Sequence, residues 1–432
     1  MTAHKGTDTT RRGLLFRTAP ALALSGLAAG AARAETPMPA PAEADLERLI
    51  DLEGEALWSE VRSEFFLRPG YLPFNAANMA PPCAATRRAL AAGTEDIDAD
   101  PSFENRAKYR PLHELTRGKL ARLLRVDGDD IALTRNTTES NNTIVNGLDL
   151  GPGDEVVLWS QNHRTNLNSW EVRAAREGFA VKLVETPEQP NSDADLIAPF
   201  EAALSDKTRI LSFSHVSNNS GTGLPAAALC ALAKASGVLS MVDGAQTVGA
   251  MDLDLGAMGC DIYTSSGQKW ICGPREAGML YMRPDVQAQL NTNMVGYALV
   301  GSSEGARKFE TLGQRDDAAV VALGGAADLH NAIGPNRVEA RVRDRASRLM
   351  ALIKAAVPGV EFLTPTDPAH RLGVVITKLD GIDAADAQAQ VYERHGISGG
   401  AFPGALRLCA HIYHSDADLE LAARAVSELF ET

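Results

Sequence analysis

The sequence predicts an α/β protein in which a mainly parallel sheet, covered on both faces, is followed by a smaller α/β domain. Three observations carry that expectation. Between about residues 110 and 285, apolar β-type runs alternate with helix-like stretches, the pattern of parallel strands joined by crossover helices. From about residue 320 a long Ala/Arg-rich helical segment leads into LGVVITKL, QAQVYERHG and ALRLCAHIY, which suits a smaller domain closing over the first. At 432 residues with 45% apolar content, the chain is long enough to bury substantial cores.

Taken in order, residues 1–34 stand apart. A basic run with Arg11 and Arg12 precedes a weakly apolar stretch from Thr18 to Ala32, and Ala32-Arg33-Ala34 follows as a small-x-small cleavage pattern. That layout is an export signal, and the paired arginines with an Ala/Gly-rich apolar stretch resemble a twin-arginine (Tat) signal, whose machinery moves folded proteins. Leu14 and Phe16 depart from its commonest form. The alternatives are a disordered basic tail or a membrane anchor, but a span needs roughly 20 apolar residues. The expectation is periplasmic or otherwise exported protein, without a membrane anchor in the mature form. Residues 35–75 read as a Pro/Ala-rich linker and an N-terminal helical segment, with apolar residues at helical spacing from Asp45 to Phe66. Residues 76–315 would form the large domain and 316–432 the small one.

Formal charge is −13; without residues 1–34, 37 basic and 54 acidic residues remain, a balance of −17. Such a surface repels phosphate backbones and anionic lipid, so nucleic acid is not an expected partner. Cys83, Cys230, Cys260, Cys272 and Cys409 are widely spaced, odd in number and free of CxxC or Cys/His clustering, which argues against a disulfide scaffold and against a metal site. Buried core thiols are the simpler reading, with one pairing left open.

The runs EVVLW at 155, VKLVE at 181, RILSFSHV at 209, GVLSMVD at 237, DIYTSS at 261 and GMLYMR at 278 are the candidate strands. Polar residues gather where strands end: Asn136 to Ser140, His163, Asn218, Asp243 to Gln246, and Ser266 to Lys269. In open α/β sheets ligands bind at those ends, so these segments point to one shared pocket. In SSGQKW, Lys269 follows a strand and a tight turn, and a desolvated lysine can lose its proton and attack a carbonyl. Alone it would be an ordinary solvated charge. Asp243, 26 residues earlier, ends an apolar strand, where a carboxylate without a cation is costly to bury. A helix cap is its plainer role. Together, a Schiff-base lysine and an aspartate on a pyridinium nitrogen are what pyridoxal 5'-phosphate (PLP) chemistry asks of a protein. TRNTTESNN supplies hydroxyls and free N–H groups at a helix start around Thr137 and Thr138, suited to a phosphate or to simple capping.

SHVSNNSG, VDGAQ and SSGQKW occur in that order, with Asn218 and Asp243 separated by 25 residues. With them, the stretch from YLPFNAANMAPP at 71 to LRLCAHIYHSDADLE at 406 resembles class V aminotransferases of the fold-type I PLP enzymes, the group with isopenicillin N epimerase and cysteine desulfurases. The resemblance implies a large domain with a seven-stranded, mainly parallel sheet, a smaller C-terminal domain and a homodimer. It implies Lys269 as the Schiff-base lysine and proton shuttle, Asp243 on the ring nitrogen, and Gln246 with Asn218 on the ring oxygen. His163 would stack on the ring. Thr137, Thr138, Ser266 and Gln268 would hold the phosphate, with Gln314 reaching across from a second subunit. Arg407, with Asn75, would grip a substrate carboxylate, a task for a planar bidentate donor.

Family members commonly carry His at the position of Gln268 and Thr at that of Gln314. Desulfurases carry a reactive cysteine before the arginine, where this chain reads HGISGGAFPGALR. The resemblance therefore implies an enzyme that removes a proton at the α-carbon of an amino acid or amino-acid-like substrate, with transamination or epimerisation to follow. The alternatives are a PLP-dependent C–S lyase or desulfurase-like enzyme and, from another class, a non-catalytic ligand-binding protein on the same fold.

Overall fold

In the computed structural model, which describes residues 46–296 and 305–431, twelve strands form three sheets. The strands are β1 (Leu72–Pro73), β2 (Ile131–Thr134), β3 (Glu155–Trp159), β4 (Ala180–Val184), β5 (Thr208–Ser214) and β6 (Leu239–Asp243), then β7 (Ile262–Ser266), β8 (Gly278–Met282), β9 (Val374–Lys378), β10 (Ile397–Ser398), β11 (Gly400–Phe402) and β12 (Ala405–Cys409). The large sheet has the order β2-β8-β7-β6-β5-β3-β4. β8 alone runs against its two neighbours, so six of the seven strands point one way.

Alternate side chains of these strands serve opposite cores, which is why the strands read as continuous apolar runs. Val157, Trp159, Leu211, Phe213 and Val242 share one cluster, while Val156, Leu158, Ile210, Met241 and Ile262 share the other. The six apolar runs named above are β3 to β8; β2, only four residues long, is the seventh strand. In-register pairing sets Ser214 and Asp243, the last residues of β5 and β6, beside Thr264 in the middle of β7. Helix Thr137–Gly147 follows β2 directly, capped by Asn136, whose side chain accepts from Glu139 N–H. Helix Arg164–Glu177 follows β3 and is capped by His163.

The apolar spacing from Asp45 to Phe66 does not become one helix. The helix occupies Gly54–Ser63, because Gly54 stands at φ +56 and the chain is extended at Glu53. Beyond the large sheet, β9, β12 and β11 make an antiparallel sheet, and β1 pairs with β10. QAQVYERHG lies in helix Ala384–His395. Leu349, Ile353, Val375, Leu406, Leu419 and Val426 pack this sheet against helices Pro335–Ala356 and Asp416–Ser427. Residues 1–34, read as an export signal, lie outside the described residues. Among the described residues no helix is long and apolar enough to cross a membrane, no three-residue metal-ligand group occurs, and all five cysteines are free and buried.

Candidate active site

A cavity of about 500 Å³ opens at the carboxyl ends of the large sheet's strands and is closed on one side by β11 and β12. Thr137, Thr138, His163, Asn218, Asp243, Gln246, Ser266, Gln268, Lys269 and Arg407 all line it. Asn75 sits behind Arg407, accepting from one guanidinium NH2 at 2.9 Å and donating to Gly399 O at 2.8 Å. Gln314 is not brought to the cavity of its own chain. It is exposed and accepts from Arg106 at 2.6 Å.

Lys269 hangs from a turn whose backbone is tied on both sides. Ala80 N–H donates to Gln268 O at 2.8 Å and Cys272 N–H to Lys269 O at 2.9 Å. No described residue bonds or pairs with its Nζ, and burial lowers its pKa, with Asp243 opposing and Arg407 assisting that shift. A lysine so placed gives up its proton more readily than a solvated one. His163 accepts from Thr165 N–H at 3.3 Å and contacts its Oγ1 at 2.8 Å through Nδ1. Burial and Lys269 lower its pKa, so the ring is neutral with its proton on Nε2.

At the floor, Asp243 is buried, and its carboxylate accepts from Asn141 Nδ2 at 3.0 Å and Ala245 N–H at 3.1 Å. Neither donor carries charge, and no described cation pairs with it. At the start of helix Thr137–Gly147, Thr137 N–H and Oγ1 bond Ser266 Oγ at 2.7 and 2.6 Å, leaving Thr138 exposed with the helix terminus toward the cavity. Gln268 Oε1 is buried with no partner; its amide, turned about, offers its NH2 donors to an anion.

Opposite, Arg407 is buried without an acidic partner among the described residues. It donates to Asn218 O at 3.1 Å and to Asn75, lies 4.8 Å from the Phe402 ring centroid, and leaves Nε unsatisfied. A guanidinium stays charged in such a place, so the pocket holds a cation awaiting an anion. The donor set thus fits a phosphorylated, protonated ring at one end and a carboxylate at the other.

Asn141, Trp270 and His411 were not found from the sequence. Asn141, one helical turn after Thr137 and Thr138, touches Asp243; i to i+4 spacing from a suspected helix start would have flagged it. Trp270 Nε1–H donates to Gln246 Oε1 at 2.7 Å while Gln246 Nε2 donates to Ala77 O at 3.2 Å. This leaves one amide hydrogen of Gln246 for the cavity. His411 lies parallel to Trp270 and Tyr413, at 5.2 and 4.5 Å, and donates from Nε2 to Trp270 O at 3.0 Å.

The model of the family described as aminotransferase class V matches residues 102–427. The chain belongs to the class V aminotransferase family. It is therefore a PLP-dependent enzyme, which sets aside the non-catalytic alternative. This class V chain is 31% identical over 394 residues to an isopenicillin N epimerase of Streptomyces clavuligerus, covering 86% of this chain and 98% of that one. It is 28% identical to a probable cysteine desulfurase of Methanothermobacter thermautotrophicus over 401 residues, 86% and 97% of the two chains. A solved C-DES mutant with glycine covalently linked to its PLP cofactor matches with a TM-score of 0.78 at 24% identity, over 85% of this chain and 99% of that one. The last likeness bears on the fold.

Proposed function

We propose that this class V enzyme removes a proton from the α-carbon of an amino acid or amino-acid-like substrate, as an aminotransferase or epimerase. One observation carries the reading: the buried guanidinium of Arg407, without an acidic partner among the described residues, faces the same cavity as the amine of Lys269, which no described residue bonds. In this reading Arg407 and Asn75 hold the substrate carboxylate, which turns the α-carbon toward Nζ. Lys269, whose burial lowers its pKa, takes the α-proton and holds it for return. Thr137, Thr138, Ser266 and Gln268 hold the cofactor phosphate, Asp243 meets the ring nitrogen, Gln246 and Asn218 the ring oxygen, and His163 covers a ring face. PLP, when bound, supplies the electron sink for the electron pair that the α-proton leaves behind. Solvent exchange of the α-hydrogen in D2O, followed by NMR, tests this. Amino acids should exchange and the corresponding amines without a carboxylate should not; equal exchange from both would contradict it.

We infer that the enzyme is not a desulfurase, although some relatives bear that name. Sulfur transfer needs a mobile nucleophilic thiolate. Gly396 to Arg407 contains no cysteine, and burial pushes the thiols of Cys83 and Cys409 upward in pKa. Incubation with L-cysteine should therefore leave no persulfide on any cysteine by mass spectrometry. Rapid alanine and sulfide production lost in Cys83→Ser or Cys409→Ser would overturn this and favour the C–S lyase or desulfurase-like alternative.

We also propose export through the Tat machinery and a periplasmic homodimer in which Gln314 reaches the other subunit's phosphate site. The support is the residue pattern of the first 34 positions and the exposure of Gln314. Replacing Arg11 and Arg12 with Lys should leave full-length protein inside the cell; unchanged export would remove the Tat reading.

A further inference from the structure

We propose that Asn141 is a positioning residue that fixes the carboxylate of Asp243 toward the cofactor ring through a relay starting at Thr264. It rests on the assignment of Asp243 to the ring nitrogen. Asn141, Thr264 and Asp243 are all buried, with at most 3% of their surfaces exposed, so every polar atom among them must find its partner inside the protein. Thr264 Oγ1–H donates to Asn141 Oδ1 at 2.8 Å, and Asn141 Nδ2–H donates to Asp243 Oδ2 at 3.0 Å.

The sheet explains why the relay exists. Asp243 and Thr264 are register partners on β6 and β7, and helix Thr137–Gly147 crosses above them, so the Asn141 side chain bridges two neighbouring strands. The acceptor-only carboxylate of Asp243 fixes the sense of the amide, and the hydroxyl of Thr264 then holds its oxygen. Were Asn141 reversed, its oxygen would face the Asp243 carboxylate, and two acceptors would meet in a buried place. With the amide held, Asp243 Oδ2 receives one hydrogen bond from the helix side and Oδ1 receives another from Ala245 N–H at 3.1 Å. These two contacts set the plane of the carboxylate. The remaining lone pairs then point into the cavity that Asp243 lines, where a protonated ring nitrogen would meet them.

The relay runs through the same helix whose first turn carries Thr137 and Thr138. One short segment therefore sets both ends of the cofactor site: its terminus serves the phosphate, and its second turn serves the acid at the ring nitrogen. A substitution at Asn141 should act on the ring-nitrogen end alone.

The test compares the affinity of PLP with that of its 1-deaza analogue, in which carbon replaces the ring nitrogen. Holoenzyme of each variant is freed of cofactor and titrated with either compound. Asn141→Leu, similar in size but without polar atoms, should bind PLP at least about tenfold more weakly than wild type, the effect of one hydrogen bond to a charged group. It should bind the deaza analogue as well as wild type does. Thr264→Val, which loses only a hydroxyl, should shift PLP affinity in the same direction by less. The double variant should be no worse than Asn141→Leu, because both changes cut one relay.

Equal weakening for PLP and the analogue, or losses that add in the double variant, would mean a merely structural role and overturn the proposal. If Asn141→Leu does not fold, Thr264→Val and its PLP-to-analogue ratio still decide, and an unchanged ratio is contrary. Asp243→Asn separates the premises. If it leaves the PLP-to-analogue ratio unchanged, the assignment of Asp243 fails; if it alone changes that ratio, only the relay fails.

Discussion

Replacing Lys269 with alanine is expected to reduce turnover by at least about a thousandfold, the upper range of what a positioned general base contributes combined with loss of a covalent anchor. The reason is the composition of the cavity. Among its lining residues the only amine is Lys269, so nothing else there can both anchor the cofactor carbonyl and move a proton at the substrate carbon. His163 is the imidazole lining the same cavity, but its Nδ1 is engaged by Thr165 and its pKa is lowered by burial and by Lys269. It is suited to covering a ring, not to replacing an amine. Steady-state rates with any substrate that exchanges its α-hydrogen would check this, and a Lys269→Ala variant at wild-type rate would refute the site assignment.

Arg407→Ala is expected to lower kcat/KM for carboxylate-bearing substrates by roughly 30-fold to several thousandfold. That corresponds to about 2–5 kcal/mol, the usual loss when one partner of a buried, hydrogen-bonded charge pair is removed. Most of the effect should fall on KM, since Arg407 contacts Asn75 and Asn218 O and no residue of the helix terminus assigned to the phosphate. Cofactor affinity should change little. Arg407→Lys should recover only part of the loss, because an ammonium cannot match the two-pronged geometry of a carboxylate. An unchanged KM for every carboxylate substrate in Arg407→Ala would remove this residue from substrate binding.

Strands β3 and β5 to β8 were readable from the sequence because they are mostly buried on both faces, which leaves a nearly uninterrupted apolar run; the four-residue β2 was too short to stand out. Polar residues just past such runs were equally readable, since a buried strand end tolerates them only beside a cavity or cap. Thus Asp243, Gln246, Ser266 and Lys269 could be gathered before any coordinates, and the structure brings them around one cavity with Asn218, His163 and Arg407. What the sequence hid depends on contacts between distant elements. Asn141 sits in a Thr/Asn-rich stretch that reads equally well as capping, and its role emerges only when β6 and β7 are seen beneath it. The bond from Trp270 to Gln246 was invisible for the same reason. Gly54 broke a helix that apolar spacing alone extended, because periodicity does not register a backbone angle of φ +56.

The central claim is that Lys269 carries the cofactor, and the most direct measurement is to reduce the purified holoenzyme with borohydride and locate the added mass by peptide mass spectrometry. The expected result is a visible absorbance band that reduction removes, with the mass of reduced PLP on the peptide containing Lys269 and on no other. A colourless protein, or the same mass fixed on a different lysine, would contradict it.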